Sequence, residues 1–239
     1  MVVIALVLSL IFFSLGFIVT KGNAKYILSG YNTMPETERS KVDIEGLVRF
    51  FNRFHVVLGV SLFAGVLLIS RFNNNWASAF MIMYPLIAYL YMIVKSDQFY
   101  KNTSRKKWAT YFGGGILVIV IAVVGYTQLF SYKSSDILLK AETLEFEGMY
   151  GTEVSKQDIF DMKLVNELPP ISYKSNGFAA GDHAKGSFKL KDGRTVRLFV
   201  DKKGKSFLWL RTRNGEVYYN SEDIDMSELY KKIMNWRGL

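Results

Sequence analysis

Hydrophobic positions divide this chain into two halves of different period. Before about residue 131 they form four long runs: Val2 to Thr20, His55 to Ser70, Trp76 to Val94 and Ala109 to Phe130. Each approaches the ~20 apolar residues that a helix needs to cross the hydrocarbon core of a bilayer. The pattern predicts a transmembrane helical domain over residues 1–132, with spans near 2–20, 54–70, 76–94 and 109–130. Past that point the apolar residues come in short alternating runs broken by turn signals, which predicts a β domain over residues 136–239.

Two dipeptides organise the second half. Asp192-Gly193 separates Gly186 to Lys191 from Arg194 to Val200, and Asn214-Gly215 separates Ser206 to Arg213 from Glu216 to Asn220. Both favour the positive backbone angles of two-residue hairpins, so the four runs predict an antiparallel meander. Leu144 and Phe146, Tyr150 to Ser155, and Ile159 to Asn166 add three earlier strands, for seven in all. The chain then ends in a helix, with Asp225 as cap, Glu228 three residues on, and Met226, Leu229, Ile233 and Trp236 on one face. Seven antiparallel strands closed by one helix is the order of a pleckstrin-homology-like (PH-like) split barrel. The expected fold is therefore four membrane helices followed by a mainly-β PH-like barrel.

Charge sets the expected topology. The segment from Lys21 to Arg53 carries Lys21, Lys25, Arg39, Lys41, Arg49 and Arg53, and the segment from Lys95 to Lys107 carries Lys95, Lys101, Arg105, Lys106 and Lys107. The short connection between the middle spans has only Arg71. Because Lys and Arg in short loops stay on the cytoplasmic side, both basic loops are expected inside, with both termini and the β domain outside the cytoplasmic membrane. A cleaved signal peptide over Val2 to Thr20 is the alternative, but that run lacks a positive start and has a long apolar centre. Cleavage would leave the orientation of the last three spans unchanged.

The net charge of +9 falls mostly beside the spans, so membrane topology explains it better than nucleic-acid binding. The chain has no cysteine, which excludes disulfides, zinc–thiolate sites and cysteine nucleophiles. No Asp, Glu, Lys or Arg sits deep in a span, which argues against a proton relay or ion-coupled transport. Ser61 with Gly65, Gly113 to Gly115, and Ala122 with Gly125 instead predict close helix–helix contact.

Between the first two runs lies Ser29-Gly30-Tyr31-Asn32-Thr33-Met34-Pro35-Glu36, in which Thr33 and Glu36 have capping-box spacing. Ile44, Leu47, Val48, Phe51 and Phe54 then recur at helical spacing, predicting an amphipathic surface helix that runs into the second span. Tyr31, Asn32, Arg49 and Arg53 mark a candidate cytoplasmic interface for a partner or anionic lipid, against a plainer role as anchors. This stretch, with Lys41 to Leu47 and Arg49-Phe50, resembles an uncharacterised bacterial membrane-domain family. Its members place an SGYNTM-type motif between the first two of about three spans. The resemblance covers roughly residues 1 to 95 and implies architecture, not activity.

In the second half, Glu147 to Val154, Glu167-Leu168-Pro169-Pro170-Ile171-Ser172, Asn176-Gly177-Phe178, Lys185 to Phe188 and Arg197 to Val200 together resemble a bacterial PH-like domain family. That resemblance spans about residues 138 to 233. It implies membrane tethering without enzymatic chemistry. Inositide binding does not carry over, since no hairpin loop clusters Lys and Arg.

Candidate chemistry is sparse. The loop from Asn176 to Lys185 reads as a ligand rim formed by Asn176, Gly177, Asp182 and His183, or as a long strand connection. Two adjacent ligands, Asp182 and His183, do not make a metal site without a third. Glu145, Glu147, Asp158 and Asp161 alternate with apolar residues as a solvated face would. No serine has a nucleophile-elbow context and no glycine cluster has the spacing of a phosphate loop. The expectation is a non-enzymatic membrane protein with no cofactor, whose partners are the bilayer and a protein, a peptide or a second copy of itself. A small transporter, channel or toxin-immunity-like factor is the rival.

Overall fold

A computed structural model describes residues 1–100, 103 and 108–238. Lys101, Arg105, Lys106 and Lys107 of the second basic segment lie outside the described residues. The chain forms two compact units, Met1–Thr127 and Gln128–Leu239.

The first unit contains α1 (Val2–Ile18), α2 (Ala24–Ile27), α3 (Glu36–Arg39), α4 (Ile44–Ser70), α5 (Asn74–Ser96) and most of α6 (Trp108–Tyr132). Among the described residues, three segments are long and apolar enough to cross a membrane: Ile44–Ser70, Asn74–Tyr100 and Thr110–Tyr132. The first apolar helix is shorter, at 17 residues. The amphipathic segment expected before the second span is continuous with it. Asp43 caps α4 by accepting the Gly46 amide at 2.9 Å, and no proline interrupts the 27 residues that follow.

Small residues set the helix contacts, though at positions that differ in part from those expected. A Cβ on Gly59 would lie 2.6 Å from the Ser9 carbonyl oxygen, and one on Gly16 would lie 3.0 Å from that of Asn52. These glycines let the backbones of α1 and α4 meet in antiparallel fashion. Ser61 bonds the Tyr84 hydroxyl at 2.6 Å, and Gly65 lies against the Phe80 ring, which joins α4 to α5. By contrast, Gly113 and Gly115 meet nothing within 4 Å among the described residues. Within that run only Gly114 faces a neighbour, a Cβ there lying 3.8 Å from Leu90 of α5. The capping box at Thr33 is also absent, because α3 begins only after Pro35 and has no side-chain cap.

The second unit carries nine strands, not seven: β1 (Ile137–Leu139), β2 (Thr143–Phe146), β3 (Thr152–Ser155), β4 (Ile159–Val165), β5 (Ile171–Ala180), β6 (His183–Leu190), β7 (Thr195–Asp201), β8 (Phe207–Thr212) and β9 (Gly215–Tyr219). Helix α7 (Met226–Arg237) follows. A small sheet runs β1-β2-β3 and a larger one β4-β8-β9-β7-β6-β5. Two strands were missed in sequence: β1, only three residues long, and β5, which has no clean alternation. Strand β5 sits at a sheet edge with most side chains exposed and two register shifts, so half-burial never shaped its pattern.

The expected meander is also reordered. Strand β7 pairs with β9 in parallel, and β8 lies between β9 and β4. Asn220 fixes this arrangement: its side-chain oxygen accepts the Asp201 amide at 2.7 Å while its Nδ2 donates to the Asp201 carbonyl at 3.0 Å. Both expected hairpins form. In the second, Gly215 already pairs with Thr212, so Arg213 and Asn214 make the turn.

Each face of the large sheet has its own core. Leu144, Phe146 and Val154 of the small sheet, with Met226, Leu229 and Ile233 of α7, cover Phe199, Leu208, Leu210, Val217 and Tyr219. Asp225 caps α7 through the Ser227 and Glu228 amides. On the other face Phe188, Val196, Leu198, Val200, Phe207 and Tyr218 pack beneath Leu168, in the connection from β4 to β5. Double-sided burial explains why Leu198-Phe199-Val200 is apolar without a break.

Candidate functional site

A concavity built by separated segments of the β domain lies beside that connection. It is a groove of about 430 Å³ between Leu168-Pro169-Pro170 and the large sheet, with Trp209 and Tyr218 among its lining. Antiparallel register places Trp209 of β8 directly opposite Tyr218 of β9, and Lys163 of β4 opposite Trp209. Side chains at such paired positions share a face, so the aromatic platform follows from the pairing.

Glu216 organises this platform. Its Oε2 accepts the Trp209 indole N–H and the Tyr218 hydroxyl, each at 2.9 Å. The Arg194 guanidinium, itself 2.8 Å from Asp192, bonds the other oxygen. Burial and the neighbouring carboxylate raise the Tyr218 hydroxyl far above the ordinary tyrosine range, so it stays a donor. The Lys163 ammonium sits 4.5 Å from the centre of the indole ring, a cation–π contact. With three donors already bound, the carboxylate fixes ring orientation and is poorly placed to act as a base. The resulting surface offers flat aromatic and proline faces with a charged rim, which suits binding.

The four residues of the sequence-derived rim are not gathered at one point. Asn176 and Gly177 lie within β5, opposite Ser187 and Gly186, so the expected loop is a strand. Asp182 sits in the turn and His183 opens β6, three rungs from Gly177 or ~10 Å at strand rise. Asp182 and His183 are buried, whereas Asn176 is exposed. The Asp182 carboxylate pairs with Lys203 at 2.8 Å. Burial holds the His183 imidazole below its ordinary value, and Asp201, its register partner on β7, offsets this in part. No cluster of three or more His, Cys, Asp or Glu suited to a metal occurs among the described residues.

In the helical unit, Tyr31 packs with Leu28 and Met34 against Val42, Leu47 and Tyr100, so the SGYNTM-type segment is held by a small core. Asn32 is exposed, as are Arg49 and Arg53 one turn apart on α4. Arg49 lies 3.9 Å from Glu45, which also pairs with Lys21 at 2.5 Å. His55 is buried, bonded to the Phe51 carbonyl at 2.8 Å and the Tyr89 hydroxyl at 3.0 Å.

The groove escaped sequence reasoning because its lining comes from β4, β8, β9, the β4–β5 connection and the β6–β7 turn. Its one legible trace was Glu167-Leu168-Pro169-Pro170, a rigid apolar connector. Residues 6–101 match the model of a domain of unknown function, DUF3784, which covers the helical half up to the end of α5. No curated protein and no solved structure matches the chain. The apolar helices and added β domain are those of a membrane protein of unknown function.

Proposed function

We propose that this is a multi-pass protein of the bacterial cytoplasmic membrane that presents its β domain as a non-enzymatic binding or scaffold module on the extracytoplasmic side. In this reading α1 is a fourth span. Its 17 residues reach ~26 Å, near the bilayer core thickness. One of its faces packs on α4 through Ala5 and Gly16, while Val3, Ile4, Leu10 and Phe17 are exposed and call for lipid. The orientation rests on the bias of Lys and Arg toward the loops at Lys21–Arg53 and Lys95–Lys107. A PH-like kinship draws support from two sheets closed by a C-terminal helix, although the parallel β7–β9 pair departs from the all-antiparallel order.

The observation that carries the binding role is the Trp209–Tyr218 groove, whose platform is fixed by Glu216 and walled by Pro169-Pro170. Its dimensions and mixed rim suit a peptide segment of a partner protein or of a second copy. The test has two arms on whole cells. A membrane-impermeant thiol reagent should label Ser175→Cys or Ser221→Cys without lysis. A photocrosslinker at Lys163 should then give a discrete adduct that Trp209→Ala abolishes. Labelling only after lysis reverses the topology, and a chain that remains adduct-free and monomeric removes the binding role.

A further inference from the structure

Tyr132 ends the apolar segment Thr110–Tyr132, and Lys133 is the first residue beyond it. A span that closes on aromatic residues and a lysine ends in the headgroup layer, and Tyr126 and Phe130 are exposed just before this point. Both closing residues are fastened to the β domain. The Tyr132 ring meets Phe178 edge-on at 5.3 Å between centroids and the His183 ring at 5.8 Å. The buried Lys185 ammonium donates to the Lys133 carbonyl. One turn of chain later, the Tyr219 hydroxyl donates to the Ser135 carbonyl at 3.0 Å. All of these partners lie in the second compact unit, Gln128–Leu239.

A domain joined by a flexible linker can stand away from the bilayer. This one holds the chain at Tyr132 and Lys133, both within the second unit, through its β5–β6 hairpin. The geometry points to the Gly181–Asp182 end of the β5–β6 hairpin as a surface that rests on the lipid headgroup layer. The inference depends on α6 crossing a bilayer, as proposed above, but not on which side the β domain occupies.

The chemistry of that end fits the partner. Lys202 and Lys203 adjoin the turn. Lys202 donates to the Gly181 carbonyl at 2.7 Å, and Lys203 pairs with Asp182. Lysine ammonium groups beside a membrane are attracted to its anionic phosphates. Ala179 and Ala180 leave the edge beside them without bulk. The opposite end of the hairpin, at Lys191, lies seven strand rises from Ala184, the partner of Ala179, or ~23 Å away.

The absence of cysteine makes this directly measurable. Ala179→Cys, Lys191→Cys and Val123→Cys, all at exposed positions, would each carry a fluorophore in the full chain in phosphatidylcholine–phosphatidylglycerol vesicles. Lipid spin-labelled at the headgroup should quench the Ala179 site at least about twofold more than the Lys191 site, as their ~23 Å separation requires. Lipid spin-labelled in mid-chain should quench the Val123 site. If Val123 is not quenched, α6 does not span and the membrane reading fails with this one. If Val123 is quenched while Ala179 is quenched no more than Lys191, the headgroup contact alone is overturned.

Discussion

The indole nitrogen of Trp209 donates to Glu216 Oε2 at 2.9 Å across the β8–β9 hairpin. That bond makes the groove a pre-formed feature, because Tyr218 and Arg194 share the same carboxylate. Glu216→Ala strands three donors in a partly buried site and should cost about 1–3 kcal/mol of β-domain stability. Glu216→Gln keeps an acceptor oxygen and should cost less. Urea denaturation of a chain whose only tryptophan is Trp209 measures both. Equal and negligible losses would show that the carboxylate does not organise the platform.

Glycines separate true helix contacts from apparent ones. Gly59→Ala places a Cβ 2.6 Å from the Ser9 carbonyl, a backbone atom that cannot rotate away, so α1 must shift. The expected cost is about 1–3 kcal/mol, as for other overpacked sites. Gly113→Ala meets nothing within 4 Å among the described residues and should be neutral or slightly stabilising through helix propensity. Thermal unfolding in detergent ranks the two variants, and a neutral Gly59→Ala would refute the α1–α4 contact.

How far the sequence could be read depended on whether burial was one-sided. Helices α4, α5 and α6 stood out because apolar runs near bilayer length are rare in water-soluble domains. Helix α7 was equally legible, since Asp225 and the Met226, Leu229, Ile233 spacing give a cap and a face. Strand β5 was hidden because Tyr173 to Asn176 are exposed at an edge, where no core imposes a period. The parallel β7–β9 pairing depends on Asn220 closing onto Asp201, 19 residues away, which no local pattern encodes. The groove is more remote still, being assembled from Lys163, Pro170, Arg194, Trp209 and Tyr218.

Phe146 ties the two sheets together. Its ring stacks on Phe199 with centroids 5.1 Å apart and an interplanar angle of 8°, and both are almost wholly buried. Phe146→Ala should cost about 3–5 kcal/mol, the usual range for emptying a buried phenylalanine site. Phe160, also in the β domain, is 55% exposed. Its alanine variant should change stability by no more than about 0.5 kcal/mol. Similar losses for the two would mean that the small sheet contributes no core.

His183 should make β-domain stability depend on pH. Burial pushes its imidazole below the ordinary value of 6.5, while Asp201 and Asp182 pull it up and Lys185 and Lys202 push it further down. The unfolded chain therefore takes up the proton at a higher pH than the folded chain does. Where the unfolded state binds more protons, stability rises with pH. The neutral imidazole's contribution is fully present above 6.5 and is lost as pH falls through the lower folded value. Pulse proteolysis in urea between about pH 8 and pH 5, the range in which histidine titrates, should show the β-domain midpoint dropping on the acid side. His183→Gln, which keeps a polar side chain but cannot take the proton, should flatten that slope. Parallel slopes in the two proteins would assign the acid sensitivity to other groups.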